Sequence, residues 1–335
     1  MKASFTKYSL KFKRPAGTSR GVYVSRDVWY LFLEEDGITG VGECAPLSGL
    51  SKETPEVVTK LLEQICKDPH QFKERADILK DIPSVQFALE SALLDQRNWG
   101  KQILFPSLFT EGIEGITVNG LIWMGALEEQ KKQVVEKLNA GFSCIKLKIG
   151  SLNFEDELKI IEFIRNQQYD ITIRVDANGA FSSKDVLGKL DRLAQYNIHS
   201  IEQPIATGNY SNMARLCTES PIPVALDEEL IGIYDRQQKE TLLDKINPQF
   251  LILKPSLHGG ICGCDEWIEL AEERSIGWWI TSYLESNIGL NAIAQWTYTK
   301  NIKIPQGLGT GQIYTNNIES SLELRGEELW HKKNY

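Results

Sequence analysis

Lys148, Asp176, Glu202, Asp227 and Lys254 each close a short apolar run, and successive members stand 25 to 28 residues apart. Three acids in register between two lysines suit a particular chemistry. Carboxylates held together repel unless a cation sits between them, and an oxygen-only set without histidine or thiolate suits a hard divalent ion, Mg²⁺ ahead of Mn²⁺. Lys146 and Lys148 lie two apart, so on a strand both ammonium groups project from one face. A neighbouring positive charge and partial burial are how a lysine becomes a base near neutrality. A carboxylate substrate lying on the metal between Lys148 and Lys254 would lose its weakly acidic α-proton, with the metal stabilising the enediolate. The plainer alternative is a structural network in which the lysines merely neutralise the acids.

An interval of this length accommodates one strand, one helix and two loops, the repeat of a βα barrel. The runs Cys144–Lys148, Ile171–Asp176, Ser200–Glu202, Pro223–Asp227 and Phe250–Lys254 read as parallel strands. Between them, Phe154, Leu158, Ile161 and Ile164, and then Val186, Leu190 and Leu193, fall at helical spacing, with Ser182 and Asp185 as a capping box. Charged side chains at strand C-termini need a common water-filled mouth, which favours a barrel over a doubly wound sheet. Residues 1–108 differ. Alternation in Tyr8–Phe12, a dense run Val28–Leu33 and a second run from Ile38 predict an antiparallel meander, followed by a helix capped at Thr54-Pro55 and another from Ser84 whose Ala88, Ser91 and Ala92 permit close approach. The reading is an α/β chain with an α+β unit over 1–108, a barrel over 109–312, and a tail over 313–335 that returns to pack on the first unit.

With 335 residues and 42% apolar content, the chain can bury one large core and a smaller one. A net charge of −8 argues against nucleic acid as a partner, because phosphate binding relies on clustered Lys and Arg. No run is apolar enough to cross a bilayer and the start is polar, so the expectation is a cytoplasmic protein acting on a small molecule. Six scattered cysteines read as reduced thiols, Cys262-Gly-Cys264 lacking redox or zinc spacing, and the four histidines show no ligand spacing.

Five motifs occur in order: Lys146-Leu-Lys148, Asp176-Ala-Asn178, Glu202-Gln-Pro204, Asp227-Glu228 and Lys254-Pro255. Together they resemble the enolase superfamily, in particular its muconate-lactonising subgroup. The resemblance implies a (β/α)7β TIM-like barrel with an N-terminal capping domain, Mg²⁺ on Asp176, Glu202 and Asp227, and Lys148 and Lys254 on opposite faces of the substrate. Lys146 and Asn178 are then supporting groups. The subgroup holds cycloisomerases, racemases, dipeptide epimerases and o-succinylbenzoate synthases with the same two lysines. Dipeptide epimerases place an Asp-x-Asp after the last barrel strand, whereas Pro305–Gln312 contains no acid here. The stretches Val118–Gly125, Lys254–Gly260 and Thr281–Ser286 are most similar to the o-succinylbenzoate synthase family of menaquinone biosynthesis. That implies a lyase: Lys148 removes the α-proton of a succinyl-bearing cyclohexadiene carboxylate and returns it to the departing hydroxyl, while Lys254 stands as a cation beside the ring. N-acylamino acid racemisation or dipeptide epimerisation is the alternative within the superfamily, and a non-catalytic binding barrel the alternative outside it.

The same resemblance points to specificity residues. The loops Thr18–Gly21 and Gly42–Ser51 are expected to close over the site, with Arg20 pairing a substrate carboxylate. Ser256, Ser282, Glu285 and Ser286 follow late strands and are expected to line the pocket for the succinyl arm. Gly309, between Gly307 and Gly311, would let backbone N–H groups approach the substrate. Glu285 is the misfit, because an acid beside an anionic arm repels it unless it is paired or neutral.

Overall fold

The computed structural model describes residues 1–18 and 21–332. Its N-terminal unit is an antiparallel sheet of β1 (Lys2–Thr18), β2 (Gly21–Glu35) and β3 (Ile38–Cys44), packed against α1 (Pro55–Lys67), α2 (Pro69–Glu74) and α3 (Pro83–Arg97). Thr54 caps α1 by accepting from the backbone N–H of Val57, with Pro55 in the first turn where no donor is lost. The small residues of α3 meet glycines on β3. A Cβ at Gly42 would stand 1.9 Å from the carbonyl oxygen of Ala88, and one at Gly40 would stand 2.1 Å from that of Ala92. The helix therefore lies directly on the sheet, and Trp29, Leu31, Leu33, Val58, Leu62 and Leu89 fill the core between them.

The barrel follows. β4 (Ile116–Thr117) precedes β5 (Gly120–Ile122), α4 (Leu127–Asn139), β6 (Cys144–Lys148), α5 (Phe154–Gln167), β7 (Thr172–Asp176), α6 (Val186–Ala194) and β8 (Ser200–Glu202). α7 (Tyr210–Glu219), β9 (Val224–Leu226), α8 (Arg236–Ile246), β10 (Phe250–Leu253), α9 (Gly260–Glu273), β11 (Gly277–Ile280) and α10 (Asn287–Thr299) complete the alternation. β5 to β11 form a parallel 7-stranded sheet in chain order. Gln306 and Gly307 close it as an eighth stave, bridging to Val118 on one side and Thr281 on the other. The Gly307 N–H donates to Ile280 O at 2.8 Å, and the Asn119 N–H to Gln306 O at 2.9 Å. This is the (β/α)7β order implied by the motifs. One local expectation fails: α6 begins at Val186, so Ser182 lies too far upstream to cap it and instead accepts from the Lys184 N–H, while the Asp185 side chain makes no cap bond.

The C-terminal segment divides in two. Ile313 to Asn316 run beside β1, where the Lys13 N–H donates to Ile313 O at 2.8 Å and Tyr314 packs with Leu10, Val28 and Tyr30. β12 (Leu322–Arg325) and β13 (Glu328–His331) then form a hairpin that pairs with β4. Among the described residues no helix is long and apolar enough to cross a membrane, and all six cysteines are unbridged.

Candidate active site

Barrel register brings the strand-end residues level. Lys148 pairs with Asp176 across β6 and β7, and Asp176 with Glu202 across β7 and β8. Asp227 lies one residue beyond β9 and Lys254 one beyond β10. β6 and β10 are the second and sixth of eight staves, so Lys148 and Lys254 face each other across the mouth. Lys146 places Nζ 2.7 and 2.6 Å from the two oxygens of Glu202 and 3.0 Å from Asp176 Oδ2. Lys148 Nζ donates to Asp176 Oδ2 at 3.1 Å and to Asn178 Oδ1 at 2.8 Å. Lys254 Nζ is paired with Asp227 Oδ2.

All but Lys148 and Asn178 in this set are almost fully buried, with Lys254 only 8% exposed. Burial opposes the charge of Lys146, but Asp176, Glu202 and Asp227 outweigh it and hold the ammonium above its ordinary range. Lys254 is raised in the same way: burial works against its charge and Asp227, Glu202 and Glu228 overcome it. Burial alone would raise Asp176, yet Lys146 and Lys148 pull it below the carboxylate range. Glu202 goes the other way, pushed well up by burial and by the charge of Asp176. Burial, then Asp227 and Asp176, push Glu228 up to about 7. The rim thus holds more carboxylate than its ammonium groups satisfy, and Asp227 Oδ1 is buried with no hydrogen-bond partner. An oxygen-only set with such an orphan fits a hard divalent cation. The lysine ammonium groups are drawn in among the acids, so among the described residues no three acid, histidine or thiol side chains converge on one point.

A second layer fixes these groups. Asn178, held at φ +44°, accepts from Lys148 through Oδ1 and donates through Nδ2 to Glu228 Oε1 at 3.0 Å, so its neighbours set the direction of its amide. Gln203, at φ +40°, accepts from the backbone N–H groups of Asp227 and Glu229 and donates to Glu229 Oε2 at 3.1 Å, tying the ends of β8 and β9 together. His258 accepts from the Lys254 N–H through Nδ1 at 3.1 Å, and burial holds its pKa down to about 3, so the ring is neutral.

Lys146, Lys148, Asp176, Asn178, Glu202, Asp227, Glu228 and Lys254 line a cleft of about 890 Å³ that opens to solvent. Tyr23, Leu47 and Leu50 of the N-terminal unit, with Trp123, Tyr283 and Leu284 of the barrel, supply its apolar wall. Of the expected specificity residues, Ser282 and Gly309 line the cleft, Ser282 hydrogen-bonded to Thr310 Oγ1 at 2.5 Å. Ser256, Glu285 and Ser286 do not. Glu285 is completely buried behind the wall, accepting from the Ser256 hydroxyl and, at 2.7 Å, from the Tyr283 N–H; burial raises its pKa, which removes the expected conflict with an anionic arm. Ser286 caps α10 and donates to Glu43 of β3. Arg20 lies outside the described residues. The loop Gly42–Ser51, expected over the site, supplies Leu47 and Leu50 to this wall; Tyr23 was missed, although its place between the exposed Val22 and Val24 carries the period-2 signal of an inward-facing residue.

Comparisons with known proteins bear on the family and the fold. Residues 129–319 match the "Enolase C-terminal domain-like" family and residues 1–96 the "MenC, N-terminal domain" family. The chain is 45% identical to an o-succinylbenzoate synthase from Desulfotalea psychrophila, over 97% of this chain and 98% of the relative. The crystal structure of MenC from that organism superimposes with a TM-score of 0.88 at 42% identity, covering 98% of this chain and 99% of the other. At the level of fold alone, a dipeptide epimerase from Enterococcus faecalis complexed with Mg and L-Leu-L-Tyr matches with a TM-score of 0.83 at 21% identity, over 99% of this chain and 96% of the other.

Proposed function

We propose, given that the chain belongs to the enolase superfamily and to the o-succinylbenzoate synthase family within it, that it converts 2-succinyl-6-hydroxy-2,4-cyclohexadiene-1-carboxylate to o-succinylbenzoate in menaquinone biosynthesis. The observation that carries the chemistry is the pair of lysines facing each other across the barrel mouth with three strand-end acids between them. Asp176, Glu202 and Asp227 would hold Mg²⁺, which when bound would supply positive charge beside the substrate carboxylate as the adjacent carbon loses its proton. Lys148 takes the proton from C1. The electrons of that C–H bond form the new ring double bond as the C6–OH bond breaks, and Lys148 gives its proton to the departing hydroxyl, releasing water. Lys254 stays charged on the opposite face, where an ammonium beside a delocalised ring is worth about 0.5 to 2 kcal/mol.

The strand-end lysines and acids take the ring carboxylate, and the apolar lining packs on the ring and the methylene groups of the arm. The acids lining the cleft, Asp176, Glu202, Asp227 and Glu228, lie among the strand-end lysines and Asn178, whereas Pro305–Gln312 contributes Gly307, Gly309 and Thr310 but no acid. A substrate ammonium finds no partner there, which favours the lyase over dipeptide epimerisation. The test is formation of the aromatic product by the purified protein with Mg²⁺ and after chelation. Product with Mg²⁺ and none after chelation supports the assignment; no product in either condition rejects it.

A further inference from the structure

Arg26 sits in the middle of β2, only 4% exposed, although its sequence context Ser25-Arg26-Asp27 reads as a solvated strand face. Its guanidinium joins the two domains through four backbone carbonyls. Nη1 donates to Tyr283 O and, at 2.8 Å, to Leu284 O. Nη2 donates to Ala45 O and, at 3.3 Å, to Pro46 O. The group also lies 5.4 Å from the centroid of the Tyr283 ring. Leu47, Tyr283 and Leu284, which flank these carbonyls, line the cleft, whereas Arg26 does not reach it.

Leu284 has φ +59°, the left-handed region that a leucine avoids. Such a backbone persists only where its surroundings over-determine it. Here the Leu284 carbonyl takes two donors, Arg26 and the Tyr314 hydroxyl at 2.5 Å, and its N–H donates to Ser282 Oγ at 3.3 Å. The strain is local, and Leu284 lines the cleft in this conformation.

We propose that Arg26 is a positioning residue for specificity: by clamping Ala45–Pro46 of one domain to Tyr283–Leu284 of the other, it holds the strained Leu284 and so sets the apolar wall against which the substrate's acyl arm lies. This rests on the function proposed above, and two inhibitors separate it from that reading. o-Succinylbenzoate and benzoate both offer a ring carboxylate to the strand-end lysines and acids, but only the first carries the arm.

Arg26→Lys keeps the charge but not the fork that spans four carbonyls. It is expected to raise KM for the substrate and the inhibition constant of o-succinylbenzoate about tenfold, with kcat and inhibition by benzoate changed less than about twofold. Tyr314→Phe removes the second donor to Leu284 O and is expected to move the same quantities in the same direction by a smaller factor; it also carries the test if Arg26→Lys does not fold. Equal weakening of both inhibitors, or no change in either, overturns the proposal. A wild-type protein that binds o-succinylbenzoate no better than benzoate rejects the reading of the site itself.

Discussion

Lys146 lays its ammonium on both carboxylate oxygens of Glu202, at 2.6 and 2.7 Å, while also touching Asp176 at 3.0 Å. Its charge is engaged by the acids rather than directed at Lys148, two residues along the same strand. Breaking a buried pair by removing one partner costs about 3 to 5 kcal/mol, because the other charge is left uncompensated. Lys146→Met should therefore melt well below the wild type without metal, and Mg²⁺ should recover more of that loss than it adds to the wild type. Thermal melts with and without Mg²⁺ check this; an unchanged melting temperature in the metal-free variant contradicts it.

Asp227→Asn and Glu202→Gln should weaken Mg²⁺ binding and abolish turnover while the fold survives, because both residues lie at the rim rather than in the packed layers of the barrel. Titration calorimetry with Mg²⁺, paired with circular dichroism, is the measurement. Wild-type affinity in either variant would remove that residue from the metal site.

Glu43 joins the domains at the start of α10, accepting from the Ser286 N–H at 2.7 Å, the Ser286 hydroxyl at 2.6 Å and the Gly289 N–H at 2.7 Å. Burial raises its pKa from 4.5 to about 7. The folded state therefore keeps a proton that the unfolded chain loses, so this residue's contribution is fully present below pH 4.5 and is lost as pH rises to about 7. The loss is on the order of a few kcal/mol. Urea denaturation at intervals across that window should show wild-type stability falling with pH more steeply than that of Glu43→Gln. Identical slopes would show that Glu43 does not titrate there.

Dipeptides should not be substrates, since Pro305–Gln312 offers no acid to their ammonium. Proton NMR of L-Ala-L-Glu in D₂O with the enzyme should show no exchange at the α-carbon. Fast exchange would move the chain to the epimerases.

The strand-end cluster was legible from sequence because it depends on strand periodicity: an apolar run ending in a charged residue, repeated at the length of a βα unit, places Lys148, Asp176 and Lys254 at the barrel mouth without knowledge of any distant contact. The wall around it depends on tertiary packing. Arg26 is buried where residues 45–46 and 283–284, distant in sequence, converge on it, and Glu285 is buried out of the cleft beside the positive-φ Leu284. No local pattern signals either. The fold of the N-terminal unit falls between these cases: the meander and the small face of α3 follow from pattern, whereas its acids, the buried Glu43 at α10 and the partly buried Glu90 at the first turn of α9, acquire their roles only once the barrel is in place.

The most direct measurement is the rate of o-succinylbenzoate formation by the wild type and by Lys148→Ala at saturating Mg²⁺, followed by the absorbance of the aromatic product. The expected result is rapid conversion by the wild type and a rate lower by roughly 10³-fold or more in the variant, with Mg²⁺ binding retained. Dehydration by Lys148→Ala at the wild-type rate would contradict the assignment of the base, and a wild type that leaves the cyclohexadiene acid unchanged would contradict the function itself.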